Sequence, residues 1–309
     1  MNTVADSLSI ILPTYNGAHY IGQQIDSILG QTFGNFELLI SDDASSDQTC
    51  EILDDYARRD QRISIRKQER NLGFKRNFEF LLREATGRYV ALADQDDIWL
   101  PTHIELLMKN IGNSLIACGN SELVDSSGRS MGKTMKDEAG IEFFPIDMES
   151  QFHHLLYNNF VQGCTALISR KLIDLALPIP DDVRFHDYWL ASVAALSLPI
   201  VYVDETIVKY RQHTKNVIGA QGNLLSRMFK RGKPEAQVIC ESLLSRFDLL
   251  LTDLQSNQLK IAVRHYESRY SFGPGFFCAF NTYMKYEVIY WSRSTKKRLP
   301  RILKALIGL

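Results

Sequence analysis

The feature that most constrains this chain is the regular alternation of short apolar runs with amphipathic segments between Leu8 and Ala93. The runs LSIILPTYN (Leu8–Asn16, the strand ending at Pro13), FELLIS (Phe36–Ser41), ISIRK (Ile63–Lys67) and YVALA (Tyr89–Ala93) are short and aliphatic or β-branched, so each reads as a buried strand. Between them, Ile21, Ile25, Ile28 and Leu29 share one helical face. Ile52, Leu53 and Tyr56 share a second, with Asp47 placed to cap it, and Phe74, Phe78, Leu81 and Leu82 a third. Strand and helix at this spacing predict a mostly parallel sheet sandwiched by helices, an α/β fold of Rossmann-like type. Ligands of such sheets gather beyond the carboxyl ends of the strands. Three of those ends carry polar sequences, PTYN, SDDASSD and DQDD, which would converge on one crevice.

Later segments are less regular. VDSSGRS reads as a hairpin turn, KTMKDEAGIEFFPID as a variable loop, GCTALIS (Gly163–Ser169) as a strand, FHDYWLASVAALS (Phe185–Ser197) as a helix and PIVYVD as a strand. From about Gly219 onward the segments read as helices. The 309 residues therefore divide into an α/β domain, 1–219, and a helical C-terminal region, 220–309. A net charge of −1 implies no nucleic-acid partner. The five scattered cysteines contain no CxxC pair and read as buried free thiols of a reducing compartment. No signal peptide is evident at the N-terminus. The longest uncharged stretch, Tyr188–Val203, contains Pro199 and falls short of the ~20 residues that a spanning helix needs. A cytoplasmic protein is expected.

DQDD places Asp94, Asp96 and Asp97 at the mouth of the fourth strand. Two such charges at ~4 Å cost roughly 1 kcal/mol even in water, and more where solvent is thin. A divalent cation would offset that repulsion. In an extended chain Asp94 and Asp96 point to the same side and could face one ligand. Mg²⁺ or Mn²⁺ suits such oxygen ligands shared with a diphosphate. A plain polar loop, with Asp97 capping a helix that starts near Pro101, is the simpler reading. In SDDASSD, one of Asp42 and Asp43 is suited to accept the imide N–H of uracil or thymine. An Asx-type turn explains the same residues without a ligand.

The motifs ILPTYNG, ISDDASSDQT, RNLGFKRNF, ALADQDDIW, HDYWL and YRQHTKNVIG, in this order, resemble the family 2 inverting glycosyltransferases of the GT-A nucleotide-sugar fold. DQDDIW and YRQH with NVIG are closest to its rhamnosyltransferase-like subset in surface polysaccharide assembly. The resemblance spans Ser9 to Gly219. It implies a dTDP- or UDP-sugar donor, with Pro13, Thr14, Tyr15 and Asn16 beside the nucleotide and a lean towards Asp42 for the base. Asn71 and Gly73 would let the backbone pass close to the nucleotide, and Lys75 or Arg76 would meet phosphate. Asp94 and Gln95 would contact the donor, with Asp94 and Asp96 as metal ligands. Gly163 would permit close approach of donor or acceptor, unless it is a bulge glycine. Asp187 would be the base that deprotonates the acceptor hydroxyl, with His186 in place of the usual Glu. Trp189 would pack under the acceptor or in the core. His213 would supply a third contact to metal or diphosphate, and Arg211 would pair with phosphate.

The processive members' Gln-x-x-Arg-Trp motif is absent, which points to transfer of single sugars to a lipid-linked O-antigen or capsule acceptor. Residues 285–309 carry seven Lys or Arg against the single Glu287, interleaved with Leu299, Ile302, Leu303, Leu306 and Ile307. This is the pattern of a helix drawn to an anionic membrane, or of a packing helix with a basic face. Peripheral attachment to the inner face of the plasma membrane follows from the first reading, and a homodimer is left open. A dehalogenase-like phosphoryl-transfer enzyme is disfavoured, because Ile98 stands where its motif wants Thr or Val and the acid motif comes at the fourth strand. A receiver domain would need neither Asp187 nor the remaining chain. A non-catalytic scaffold is disfavoured by the intact Asp96 and Asp187.

Overall fold

The computed structural model describes residues 7–139, 147–213 and 233–268. The four predicted strands are present as β1 (Leu8–Thr14), β2 (Phe36–Asp42), β3 (Ile63–Lys67) and β4 (Tyr89–Leu92). They lie parallel in the order β3-β2-β1-β4, connected through α1 (Ile21–Leu29), α2 (Thr49–Arg59) and α3 (Phe74–Glu84). The chain leaves β1 on one side and returns at β4 on the other, so the strand order reverses there. That reversal opens a crevice at the carboxyl ends of β1 and β4. Every residue of β1 is buried, because helices cover both of its faces. Ile10 and Leu12 face Ile21, Ile25 and Ile28 of α1, whereas Ile11 faces Phe78, Leu81 and Leu82 of α3.

Beyond β4 the sheet becomes mixed. It continues through β8 (Leu167–Ser169), β6 (Ile116–Val124), β9 (Val201–Arg211) and β5 (Ile98–Trp99). β6 and β9 run parallel, while β4–β8, β6–β8 and β5–β9 are antiparallel. β7 (Ser130–Thr134) returns along β6 as the hairpin expected at VDSSGRS. The expected strand over Gly163–Ser169 is only half present, since Gly163–Thr165 forms a single 3₁₀ turn. Thr165 and Ala166 turn their amides to the carbonyls of Gln162 and Gly163, which removes them from the ladder. α4 (His103–Ile111), α5 (Met135–Ala139), α6 (Met148–Leu155), α7 (Arg170–Ala176) and α8 (His186–Ala194) complete this part.

The C-terminal region is helical as expected, with α9 (Glu235–Phe247) and α10 (Asp253–Ser268). It does not stand apart. Ile239, Cys240, Leu243, Phe247, Leu259 and Tyr266 bury themselves in the same core as Phe78 of α3 and Trp189 and Leu190 of α8. Arg246 of α9 also donates to the carbonyls of Leu175 and Ala176 at the end of α7, at 3.0 and 3.1 Å. The expected boundary at 219 and the basic segment 285–309 lie outside the described residues. A shared core makes a definite demand on folding. Leu243→Ala should destabilise the whole chain by about 2–4 kcal/mol within one unfolding transition. Calorimetry showing two separate transitions, with only one of them shifted, would contradict a common core.

Candidate active site

The crevice floor is built from strand ends that are tied to one another. Pro13 and Thr14 close β1 in register with Ser41 and Asp42 of β2. Gln95 clamps this end to the acid loop. Its Oε1 accepts from Thr14 Oγ1 at 2.7 Å and from the Tyr15 amide at 2.9 Å, and its Nε2 donates to Tyr15 O at 3.2 Å. The Tyr15 side chain is left 47% exposed, free to meet a planar ligand. Asn16 takes a left-handed conformation (φ 48°). There its Oδ1 accepts from the Ser46 amide and its own amide donates to Ser45 Oγ, both at 2.8 Å.

The two acids after β2 differ in engagement. Asp42 Oδ2 accepts from the Ser45 amide at 2.9 Å, and its Oδ1 is buried with no partner among the described residues. Both Asp43 oxygens are taken, by the amides of Leu72 at 2.6 Å and Gly73 at 2.9 Å. Asn71 braces the same turn, accepting from the Gly73 amide at 3.0 Å. Gly73 has φ 81°, a conformation that favours glycine. The expected phosphate contacts of Lys75 or Arg76 are not what this arrangement offers. Lys75 Nζ donates to the carbonyls of Pro180, Asp181 and Val183 at 3.2, 2.7 and 2.7 Å. Arg76 pairs with Glu79 and Asp181. The start of α3 faces the segment leading into α8, and those carbonyls and carboxylates capture both cations.

The acid loop is set by the pairing of β5 with β9. Ile98 lies opposite Lys209 and Trp99 opposite Val208. Running that register back brings Arg211 beside Asp96. Arg211 is 1% exposed, so a phosphate would not reach it as expected from sequence. Its amide donates to Asp97 Oδ1 at 3.0 Å and its Nε to Asp96 O at 2.7 Å. Its terminal nitrogens reach Ser126 O at 2.9 Å and Gln23 Oε1 at 2.6 Å. The guanidinium also lies 4.7 Å over the Tyr20 ring, on which His213 stacks at 4.9 Å. His213 Nε2 is then held 2.7 Å from Asp96 Oδ2. Asp96 and His213 are thus adjacent, as a shared cation would require.

Asp94, Asp97 and Cys164 bring one ligand atom each within 4.8 Å of one another. Burial, then the charges of Asp96 and Asp187, push the Asp94 carboxyl up to about 7. Asp97 is raised well above its ordinary value by burial and then by Asp96 and Asp94. This is uncompensated negative charge in a crevice, which a divalent cation would offset; Asp94 lies with Asp97 and Cys164, while Asp96 meets His213. The thiol of Cys164 is instead raised by burial and by Asp97, so it stays protonated behind the acids. Sequence reasoning placed Cys164 among ordinary buried thiols; its one available signal was adjacency to Gly163.

Asp187 occupies the second position of α8, opposite the acid loop. Its Oδ1 accepts from the Tyr188 amide at 2.7 Å and its Oδ2 from the Gly163 amide at 3.3 Å. Burial outweighs these donors and pushes its carboxyl up to about 6. A side chain at Gly163 would meet His186 Nε2 at 3.3 Å and Asp187 Cβ at 3.5 Å. Gly163 therefore lets its turn approach the carboxylate closely. His186 is stacked on Phe78 with centroids 3.8 Å apart, and burial pushes its ring down to about 3, so it is neutral. Trp189 is fully buried and donates to Ala176 O at 2.8 Å, which places it in the core rather than under an acceptor.

The raised Asp187 has a signed consequence for stability. Between about pH 4 and about pH 6 the folded protein keeps a proton that the unfolded chain releases, so stability falls as pH rises through that window. Asp187→Asn carries no charge at any pH. It should be more stable than the wild type by about 1 kcal/mol or more at neutral pH, with the advantage gone below about pH 4. Thermal unfolding of both proteins across this range checks the sign; a variant less stable at neutral pH would contradict a strained carboxylate.

Residues 9–175 match the model of glycosyl transferase family 2. The chain is 28% identical over 276 residues to the Escherichia coli UDP-Glc:alpha-D-GlcNAc-diphosphoundecaprenol beta-1,3-glucosyltransferase WfgD, covering 86% of this chain and 97% of that one. It is 29% identical over 226 residues to an uncharacterized glycosyltransferase of Rickettsia typhi, covering 69% of this chain and 66% of that one. Among solved structures, S. aureus TarS 1–349, also determined in complex with UDP-GlcNAc, superposes with TM-score 0.59 at 18% identity, covering 97% of this chain and 81% of that one. The mannosyltransferase PcManGT of Pyrobaculum calidifontis, in complex with GDP-Man and Mn²⁺, superposes with TM-score 0.55 at 17% identity over 98% of this chain and 80% of that one. The strand order, the crevice at its reversal and the match over more than half the sequence lead to one assignment: the chain is a glycosyltransferase that belongs to glycosyl transferase family 2.

Proposed function

We propose that the protein transfers one sugar from a nucleoside diphosphate sugar to a hydroxyl of a lipid-linked glycan in cell-surface polysaccharide assembly, inverting the anomeric centre. The observation that carries this reading is the placement of Asp187, a carboxylate poised near neutrality across the crevice from Asp94. The acceptor hydroxyl gives its proton to Asp187 as its oxygen bonds to the anomeric carbon. The bond from that carbon to the diphosphate oxygen breaks, and the nucleoside diphosphate leaves from the opposite face. Asp94, Asp96 and His213 would hold Mg²⁺ or Mn²⁺, which when bound would offset the charge of the leaving diphosphate. Gln95 keeps the acid loop against β1, and Gly163 orients Asp187 through its amide.

The base of the donor meets the ends of β1 and β2, with Tyr15 as the exposed ring and Asp42 or Asp43 as acceptor. Asp42 keeps an Oδ1 with no partner among the described residues, whereas both Asp43 oxygens serve the turn before α3, so base binding at Asp43 would share or rearrange those hydrogen bonds. A UDP-hexose donor draws support from the activity named for WfgD, and dTDP-rhamnose from the DQDDIW and YRQH motifs. Calorimetric titration with UDP and with dTDP, each with Mn²⁺ or with chelator, tests the site. Metal-dependent binding is expected, lost in Asp96→Ala. Asp187→Asn should bind as the wild type does and lose transfer by at least about a hundredfold; near-normal turnover in that variant would refute the assignment of the base.

The basic and apolar alternation of residues 285–309 supports docking to anionic lipid at the inner face of the membrane, where a lipid-linked acceptor resides. No helix among the described residues is long and apolar enough to cross a membrane. Removal of residues 301–309 should weaken sedimentation with vesicles containing phosphatidylglycerol. Equal sedimentation of the shortened and full chains would exclude this docking.

A further inference from the structure

The segment Pro180 to Phe185 enters α8 and is held from two sides. From α3, Lys75 grips the carbonyls of Pro180, Asp181 and Val183. From α9, Glu235 takes the amides. Its Oε1 accepts from Arg184 N at 2.7 Å and from Phe185 N at 3.1 Å, and its Oε2 accepts from Arg184 Nε at 2.9 Å. Phe185 is the residue that caps α8, and it has no side-chain oxygen for the purpose. The amides at this helix start therefore need partners from elsewhere. Glu235 is itself the first residue of α9, following Pro234. One carboxylate, with a side chain only 10% exposed, thus serves two helix N-termini, each the positive end of a dipole.

Asp187 lies two residues beyond Phe185, and its bond to the Gly163 amide is long, at 3.3 Å. A small displacement of the first turn of α8 removes that bond. We propose that Glu235 is a positioning residue for Asp187: from the C-terminal helical region it fixes the entry into α8 and so the orientation of the carboxylate. The proposal rests on the reading of Asp187 as the proton acceptor. It also gives α9 a part in the chemistry that its sequence does not reveal.

The titratable groups around Asp187 are Asp94 at the end of β4, His186 and Tyr188 beside it on α8 and Glu235 on α9, while Lys75 of α3 and Arg184 hold the segment that enters α8. His186 is neutral, and Lys75 is turned to carbonyls. The anion of Glu235 raises the Asp187 carboxyl, in addition to the larger effect of burial. Removing that charge while keeping an acceptor oxygen therefore lowers the pH at which Asp187 ionises.

Glu235→Gln and Glu235→Ala separate the two effects. The full chain, labelled at its aspartate carboxyl carbons, is titrated by NMR, with the Asp187 signal identified by its loss in Asp187→Asn. In Glu235→Gln the Asp187 midpoint should move to lower pH, while the amides of Arg184 and Phe185 keep their protection from hydrogen exchange. In Glu235→Ala that protection should be lost at both amides. Retained protection in a folded Glu235→Ala overturns the proposal; if the alanine variant does not fold, loss of sugar transfer in Glu235→Gln with both amides still protected overturns it. Sugar transfer by Asp187→Asn would instead remove the base assignment, and it is read independently of the titration.

Discussion

The buried guanidinium of Arg211 holds the crevice in shape. It enters at the end of β9, where the β5 register delivers it behind the acid loop, and donates to Asp96 O, Ser126 O and Gln23 Oε1. Removing a cation from water is expensive, and excellent hydrogen-bond geometry is needed to offset it. Here three separate segments supply the acceptors, so the same bonds tie α1, the β6–β7 turn and the acid loop together. Tyr20 lies between Arg211 and His213, and it carries the order of the buried cation out to the imidazole beside Asp96.

The acids in front of this support are arranged against their own electrostatics. Asp94, Asp96, Asp97 and Asp187 influence one another through thin solvent, and burial raises three of them before any ligand arrives. Such an arrangement weakens the fold at neutral pH and readies it for positive charge and for a proton. The two functional carboxyls nevertheless differ in their surroundings. Asp94 owes part of its shift to neighbouring acids at a loop, whereas Asp187 is balanced between burial and two backbone donors.

The C-terminal helices belong to this arrangement rather than following it. α9 and α10 pack in the core with α3 and α8, and α8 carries Asp187. The segment before α8 is gripped through its carbonyls by Lys75 and through its amides by Glu235, so it is satisfied on both edges of its backbone. A backbone satisfied from two elements has little freedom to shift relative to either.

Much of the fold is legible in the sequence because the relevant physics is local. Alternating apolar periods define β1 to β4 and α1 to α3, and the parallel order with its crevice follows from connection rules. Asp94, Asp96, His213, Asp187 and Gly163 stand out as residue types at strand and helix ends, and the structure gathers them around one crevice. Tertiary structure alone decided the partners of the long and charged side chains. Lys75, Arg76 and Arg211 are chemically fit for phosphate, yet carbonyls and carboxylates distant in sequence reach them first. The unequal engagement of Asp42 and Asp43, the thiol of Cys164 behind the acids and the reach of Glu235 to α8 have the same origin. The sequence names donors and acceptors and the period in which they recur; which of them meet within 3 Å depends on how separate elements pack, and no local pattern encodes that distance.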